Sequence, residues 1–203
     1  FPILSFDKPL RAMMKPNNDC FIEFDFNAAD LRSFLALVGL DQPKEDLHDW
    51  NIEHVFSGTI SREDAKRRFF AWFYNNAAED EEIERYYSKT NILDKHYIGG
   101  RVANPYGRTI DVDEEHAINY LVSSTTGDTL SDRFLAVQAV LEEHGTGSYV
   151  SWTMHDSLTI DLKKEDRHLL PLLHTTFSDT QLGTFRTNVY IGLDYKDMRR
   201  VTL

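Results

Sequence analysis

Two apolar runs late in the chain, Tyr149 to Met154 and Ser157 to Leu162, are separated only by His155-Asp156. Two residues can join two strands only by folding one back on the other, because a parallel pair needs a crossover of about a dozen residues or more. The chain is therefore committed to an antiparallel hairpin with His155 and Asp156 at its tip. The run Phe21-Ile22-Glu23-Phe24-Asp25-Phe26 is aromatic, apolar and only partly alternating, as suits a buried strand ending near Asp25. Phe185 to Asp194 closes the chain with another strand pattern.

The segments between these strands read as helices. Asn27 can cap a helix over Ala28 to Val38 that Gly39 stops. Asp46 to Phe56 is a short helix. Ser61, with Asp64 three residues on, opens another that runs through Lys66 to about Tyr74. The acidic run Glu79 to Glu82 reads as a solvated helix reaching Tyr87. Gly99-Gly100 and Asn104 to Gly107 mark turns. A helix from Asp113 to Val122 is expected to break at Ser123 to Gly127, with a second from about Leu130 to His144. Lys164 to Phe177 is a last helix, interrupted at Pro171, and residues 1–19, with Pro2, Pro9 and Pro16, form an irregular lead-in. The order of elements predicts an α+β fold, with residues 1–203 as one domain.

Composition narrows the function. A chain of 203 residues that is 41% hydrophobic and 12% aromatic can build a core, which excludes wholesale disorder. Lys and Arg number 22 against 33 Asp and Glu, a net charge of −11, which argues against a freestanding nonspecific nucleic-acid binder. The single cysteine, Cys20, excludes an internal disulfide framework and a Cys-rich zinc site, and reads as a buried small hydrophobe. No stretch approaches 18 apolar residues and the first residues lack signal-peptide character, so no membrane partner and a reducing, cytoplasmic setting are expected. Trp50, Trp72 and Trp152 read as core, and Lys196 to Arg200 as a solvated tail, with a contact to DNA or a partner as the alternative.

Three elements carry candidate chemistry. Asp25 ends an apolar strand; alone, it reads equally as a strand-end or capping residue. Asp156 sits beside His155 at the hairpin tip; alone, it reads as a turn residue, but the apolar flanking strands would pin it. The third is the stripe Arg62, Lys66, Phe70 and Tyr74, at i, i+4, i+8 and i+12, which turns slowly around one helix. Its cationic end suits a polyanion and its aromatic end a flat ring, the pairing a nucleoside triphosphate requires. An amphipathic helix with a basic solvent face and an aromatic core face explains the same spacing.

Together these residues resemble the palm and fingers of family A DNA polymerases. Phe24-Asp25-Phe26-Asn27-Ala28-Ala29-Asp30-Leu31-Arg32 resembles motif A, D-Y-S-Q-I-E-L-R. Arg62 through Lys66 and Phe70 to Tyr74 resembles motif B, R-x₃-K-x₃-F-x₃-Y-G. Met154-His155-Asp156 resembles motif C, V-H-D-E. Asp46-Leu47-His48 resembles the D-I-H before motif B, Gly107-Arg108 the G-R turn after the fingers, and Ile118-Asn119 through Gly127-Asp128 the helix bearing I-N-x-x-x-Q-G-T-x-x-D. All fall in the family's order, from about Leu10 to near the C-terminus.

The resemblance implies a palm with a small antiparallel sheet and a shortened helical fingers subdomain, approximately 41–106, inserted in it. It implies template-directed DNA synthesis, with Asp25, Asp156 and the Phe26 carbonyl holding two Mg²⁺ ions. Those ions would activate the primer 3′-hydroxyl and stabilise the leaving pyrophosphate. Arg62, Lys66 and His48 would meet the triphosphate of a dNTP; Asp30, Phe70 and Tyr74 would line the nucleotide pocket. His155, Arg108, Asn119 and Ser123 would lie along primer-template DNA. The departures are Ser157 for the Glu after His-Asp, Asp30 for the sugar-gate Glu, Asn75 for the Gly after motif B, Ser123 for the helix Gln, and Glu115 for the Arg before Ile118. No thumb or exonuclease precedes motif A in these residues. The expectation is the C-terminal part of a split polymerase completed by a second polypeptide bearing those domains. Split replication genes fit a phage or viral source, which would place the protein in the host cytoplasm. The alternatives are a catalytically silent, polymerase-like structural or assembly subunit, and a small metal-dependent nucleotide-binding protein acting alone.

Overall fold

The computed structural model describes residues 7–75 and 78–203; the first six positions of the expected lead-in lie outside the described residues. A 3₁₀ turn, Lys8–Met13, precedes β1 (Cys20–Phe26), α1 (Ala29–Val38), α2 (Leu47–His54), α3 (Arg62–Tyr74), α4 (Glu81–Tyr87) and α5 (Lys89–His96). A meander of β2 (Tyr97–Ile98), β3 (Arg101–Ala103) and β4 (Thr109–Asp111) leads into the long α6 (Glu114–Glu143) and the hairpin β5 (Tyr149–Met154) and β6 (Ser157–Leu162). A second 3₁₀ turn, Lys164–Leu169, runs into α7 (Leu170–Ser178), followed by β7 (Asp179–Thr180), β8 (Gly183–Thr184), β9 (Thr187–Gly192) and β10 (Arg199–Val201). The fold is α+β with small antiparallel sheets, as the order of elements predicts. The chain forms two compact units: residues up to Asn27 with Thr129–Leu203, and Ala28–Asp128. The expected inserted segment 41–106 lies inside the second.

The first unit is built on a five-stranded antiparallel sheet in the order β10-β9-β1-β6-β5. Its central strand is β1, which explains the density of apolar side chains there: Phe21, Ile22, Phe24 and Phe26 are all buried. Phe26 stacks on Phe177 of α7 at 4.2 Å and meets Phe185 edge-on. The register sets Asp25 opposite Ser157 on one side and Asn188 on the other. The expected helix from Lys164 to Phe177 divides near Pro171, as read: the 3₁₀ turn ends at Leu169, and Pro171 stands in the first turn of α7, where its missing N–H costs nothing. Three expectations change here. The closing strand is shorter than read, Thr187–Gly192, and the presumed tail supplies the edge strand β10 paired to it. Cys20, at the start of β1, is only half-buried.

The second unit is helical. On α3, Ala65, Phe69, Trp72 and Phe73 turn inward, and Phe34 of α1 meets Trp72, Phe73 and Tyr87 edge-on. Ser61 caps α3 by accepting from the Asp64 N–H, and Asp46 caps α2. Asn27 does not cap α1. Its own N–H donates to the Arg186 carbonyl at 2.8 Å, which keeps it in the sheet's pairing, and Ala28 makes the turn with φ 55°. The break expected at Ser123 to Gly127 is absent, and α6 is one helix of 30 residues. Ser124 and Thr125 donate their hydroxyls back to the Leu121 carbonyl at 3.0 and 2.7 Å, a bond made inside a helix as readily as at its end.

Candidate functional site

In the first unit, Asp25, His155 and Asp156 line one cavity of about 250 Å³ together with Glu23, Ser157 and Tyr195. The sheet produces this arrangement. The β5–β6 hairpin tip is fastened to the end of β1 by the Phe26 N–H, which donates to the Asp156 carbonyl at 3.2 Å. The Phe26 main chain is fixed in turn by its ring, packed between Phe177 and Phe185. Asp25 accepts from Asn188 Nδ2 at 3.2 Å, and Arg200 donates to Asn188 Oδ1 at 2.6 Å, so a cation on the edge strand orients the amide that holds the carboxylate. Burial pushes the Asp25 carboxyl above its ordinary value, with the Asn188 hydrogen bond and the Arg200 charge pulling the other way. His155 turns the hairpin with φ 56°, a left-handed conformation that costs a non-glycine residue about 1–2 kcal/mol.

These groups suit a hard divalent cation: carboxylates and main-chain carbonyls are the oxygen donors Mg²⁺ takes. Among the described residues no three His, Cys, Asp or Glu side chains are gathered into a metal-holding group, so two aspartates on one wall are the relevant set. Sequence reading missed Glu23, Asn188 and Tyr195. Glu23 carried a signal, since it lies two residues from Asp25 on a strand and so on the same face.

In the second unit, the stripe on α3 is present as the spacing implies. The Phe70 and Tyr74 rings stack at 5.7 Å and Lys66 Nζ lies 5.7 Å from the Phe70 ring centre. Lys66 has no ion-pair partner among the described residues, whereas Arg62 pairs with Asp46 and Asp49, each at 3.0 Å. His48 meets Phe70 edge-on, is 7% exposed, and has a buried Nδ1 with no hydrogen-bond partner among the described residues. Burial holds its pKa below the ordinary 6.5, against Asp46 and in concert with Arg62 and Lys66, so at neutral pH it is an uncharged donor or acceptor.

Asp30 joins three helices. It accepts from the Tyr74 hydroxyl at 2.9 Å and from the Thr126 hydroxyl at 2.8 Å, which ties α1 to α3 and α6. Burial, and then the Asp30 charge, push the Tyr74 hydroxyl well above its ordinary value. Arg108 forms a two-pronged ion pair with Asp128, which Asn104 also holds, and Ser123 donates to Asn119 at 3.3 Å. A larger cavity of about 1050 Å³ elsewhere in this unit is lined by Glu79, Asp80, Glu84 and Glu115, a sign that repels phosphate.

No protein-family model matches the chain, and no curated protein matches it in sequence. Among solved structures, the fold is similar to the POL domain of Pol1 from M. smegmatis, in complex with DNA primer-template and dNTP, at a TM-score of 0.77. The two are 13% identical, and the match covers 94% of this chain and 43% of that one. The chain thus spans less than half the length of that structure's chain. What the likeness establishes is the fold, that of a polymerase domain.

Proposed function

We propose that the chain performs template-directed nucleotidyl transfer from a dNTP to a primer 3′-hydroxyl, as the catalytic part of a family A-like DNA polymerase. The observation that carries this reading is the pair Asp25, at the end of β1, and Asp156, at the tip of the adjoining β5–β6 hairpin, lining one cavity in a chain with a polymerase-domain fold. Asp25, Asp156 and the Phe26 carbonyl would hold two Mg²⁺ ions, which supply activation of the hydroxyl and charge stabilisation of the departing pyrophosphate.

The remaining roles belong to the chain's own residues. Asn188 and Arg200 orient Asp25. Lys66, free of an ion pair among the described residues, meets the triphosphate as a cation, and Arg62 does so by exchanging Asp46 and Asp49 for phosphate. His48 presents a neutral ring nitrogen to the same group. Phe70 and Tyr74 form the stacking surface, and Asp30, pinned by Tyr74 and Thr126, limits the sugar. His155 sits at the primer end. Arg108, Asn119 and Ser123 follow the DNA, with Arg108 leaving Asp128 to do so. The grip on the duplex comes from polypeptide outside these 203 residues, which the split-polymerase reading assigns to a second chain with thumb and exonuclease domains.

Primer extension with Mg²⁺, alone and with the candidate partner, tests this. Extension that Asp156→Ala abolishes supports it; no extension with the correct partner sinks it. A second reading, a catalytically silent subunit, is favoured by Ser157 in place of the family's Glu. It predicts binding to the partner without extension.

A further inference from the structure

The cavity holds a third carboxylate that the metal assignment leaves out. Glu23 lies two residues before Asp25 on β1, on the same face, about 7 Å along the strand. That is the spacing of the two main-chain positions, and it sets both side chains on the wall of the same cavity. The two oxygens of Glu23 are not equivalent. Oε2 accepts from the Tyr195 hydroxyl at 2.8 Å, Ser157 Oγ at 3.4 Å and Thr159 Oγ1 at 3.5 Å. Oε1 has no hydrogen-bond partner among the described residues, and Glu23 makes no ion pair among them. Arg11 and Lys196 also line the cavity, but Glu23 is in ion-pair contact with neither, and a half-buried carboxylate beside a second one is costly unless a cation comes close to it.

Ser157, whose one hydroxyl proton is shared between the Met154 carbonyl at 3.0 Å and Oε2 at 3.4 Å, stands where the resembling family carries its Glu. It also lies opposite Asp25 in the register. The acid missing from β6 thus has a counterpart on the neighbouring strand, facing the same cavity. The geometry points to Glu23 as a positioning residue for the Asp25–Asp156 metal site. Its Oε1 takes a hydrogen bond from the hydration water of the ion, while Tyr195, Ser157 and Thr159 hold the other oxygen still. Magnesium keeps several waters when one or two carboxylates bind it, and those waters need acceptors. This inference rests on the proposed metal site.

The test is Mn²⁺ binding to the full chain, followed by electron paramagnetic resonance without nucleotide or DNA. Asp25→Asn should abolish binding. Glu23→Gln keeps the shape and an acceptor for the three hydroxyls, and should weaken binding about 10-fold or more, the scale of an outer hydrogen-bonding partner of a metal site. Adding Ser157→Glu to Glu23→Gln should recover part of the loss. Equal Mn²⁺ affinity in Glu23→Gln and the parent, with Asp25→Asn still abolishing it, overturns the inference and leaves the metal site standing. So does failure of Ser157→Glu to recover anything, which would assign Glu23 to packing. Parent binding that is absent, or indifferent to Asp25→Asn, overturns both. If circular dichroism finds Glu23→Gln unfolded, Tyr195→Phe takes its place: weaker Mn²⁺ binding supports the inference, and unchanged binding overturns it.

Discussion

His48 is a buried imidazole with an unsatisfied nitrogen, packed edge-on to Phe70, with Asp46, Asp49, Arg62 and Lys66 around it. Its pKa in the folded chain lies below 6.5, chiefly through burial. As pH falls, the unfolded chain therefore binds a proton that the folded chain does not. The contribution of His48 to stability is full above about 6.5 and is lost progressively as pH falls through the folded pKa. His48→Gln should flatten that part of the stability–pH curve. A nuclear magnetic resonance titration should place the His48 pKa below 6.5 and move it upward when inorganic tripolyphosphate is added. A value at or above 6.5 without phosphate would contradict the burial argument, and no movement on adding it would contradict the nucleotide role. At this scale the site was legible where a residue's type and its place in an element coincide. Asp25 at a strand end and Asp156 at a hairpin tip are such places. Glu23 could have been read from its place two residues from Asp25 on one strand face, whereas Asn188 could not, because a polar residue in a strand looks like its solvent side. Only the cross-strand register reveals that Asn188 stands beside the Asp25 carboxylate.

Among the elements, α6 departs furthest from expectation, and it makes the sharpest stability prediction. Gly127 lies in its middle, with ordinary helical backbone and open space where a Cβ would stand. Gly127→Ala should therefore raise the unfolding free energy by about 0.5–1 kcal/mol, by restricting the unfolded chain and improving helix propensity. Urea denaturation checks it, and a loss of stability would mean that the glycine serves a close approach absent from this structure. The same helix explains why sequence reading failed there. Ser123 to Gly127 has the composition of a break, yet Ser124 and Thr125 return their hydroxyls to the helix and Thr126 finds Asp30 and Ser33. Local propensity favoured a loop, and tertiary partners outweighed it. The opposite holds for α3, where the cap at Ser61, the inward Ala65, Phe69, Trp72 and Phe73, and the outward stripe all agree, so the element was readable to within a residue. β10 escaped notice because Arg199 and Arg200 resemble a charged tail, whereas an edge strand with one open side accommodates such residues.

For the whole molecule, a net charge of −11 opposes phosphate binding, and several of the arginines are already committed to carboxylates. Arg62 is paired with Asp46 and Asp49, Arg68 with Asp80 and Glu82, Arg101 with Asp111, Arg108 with Asp128, and Arg133 with Asp132. Each must give up a carboxylate before it gains a phosphate, so the gain per contact is small. Binding to duplex DNA is driven largely by release of counterions as cations neutralise phosphates, and it steepens with salt in proportion to their number. The chain by itself should therefore bind primer-template no more tightly than about 10⁻⁵ M at near-physiological salt, the range of nonspecific binding. Its log–log salt slope should be shallower than about −3, the value for roughly three phosphate contacts. Fluorescence anisotropy over a salt series measures both. A slope near −6 or steeper would require about seven neutralised phosphates, more than arginines already held by carboxylates readily supply. It would transfer the duplex grip from a second polypeptide to this chain itself.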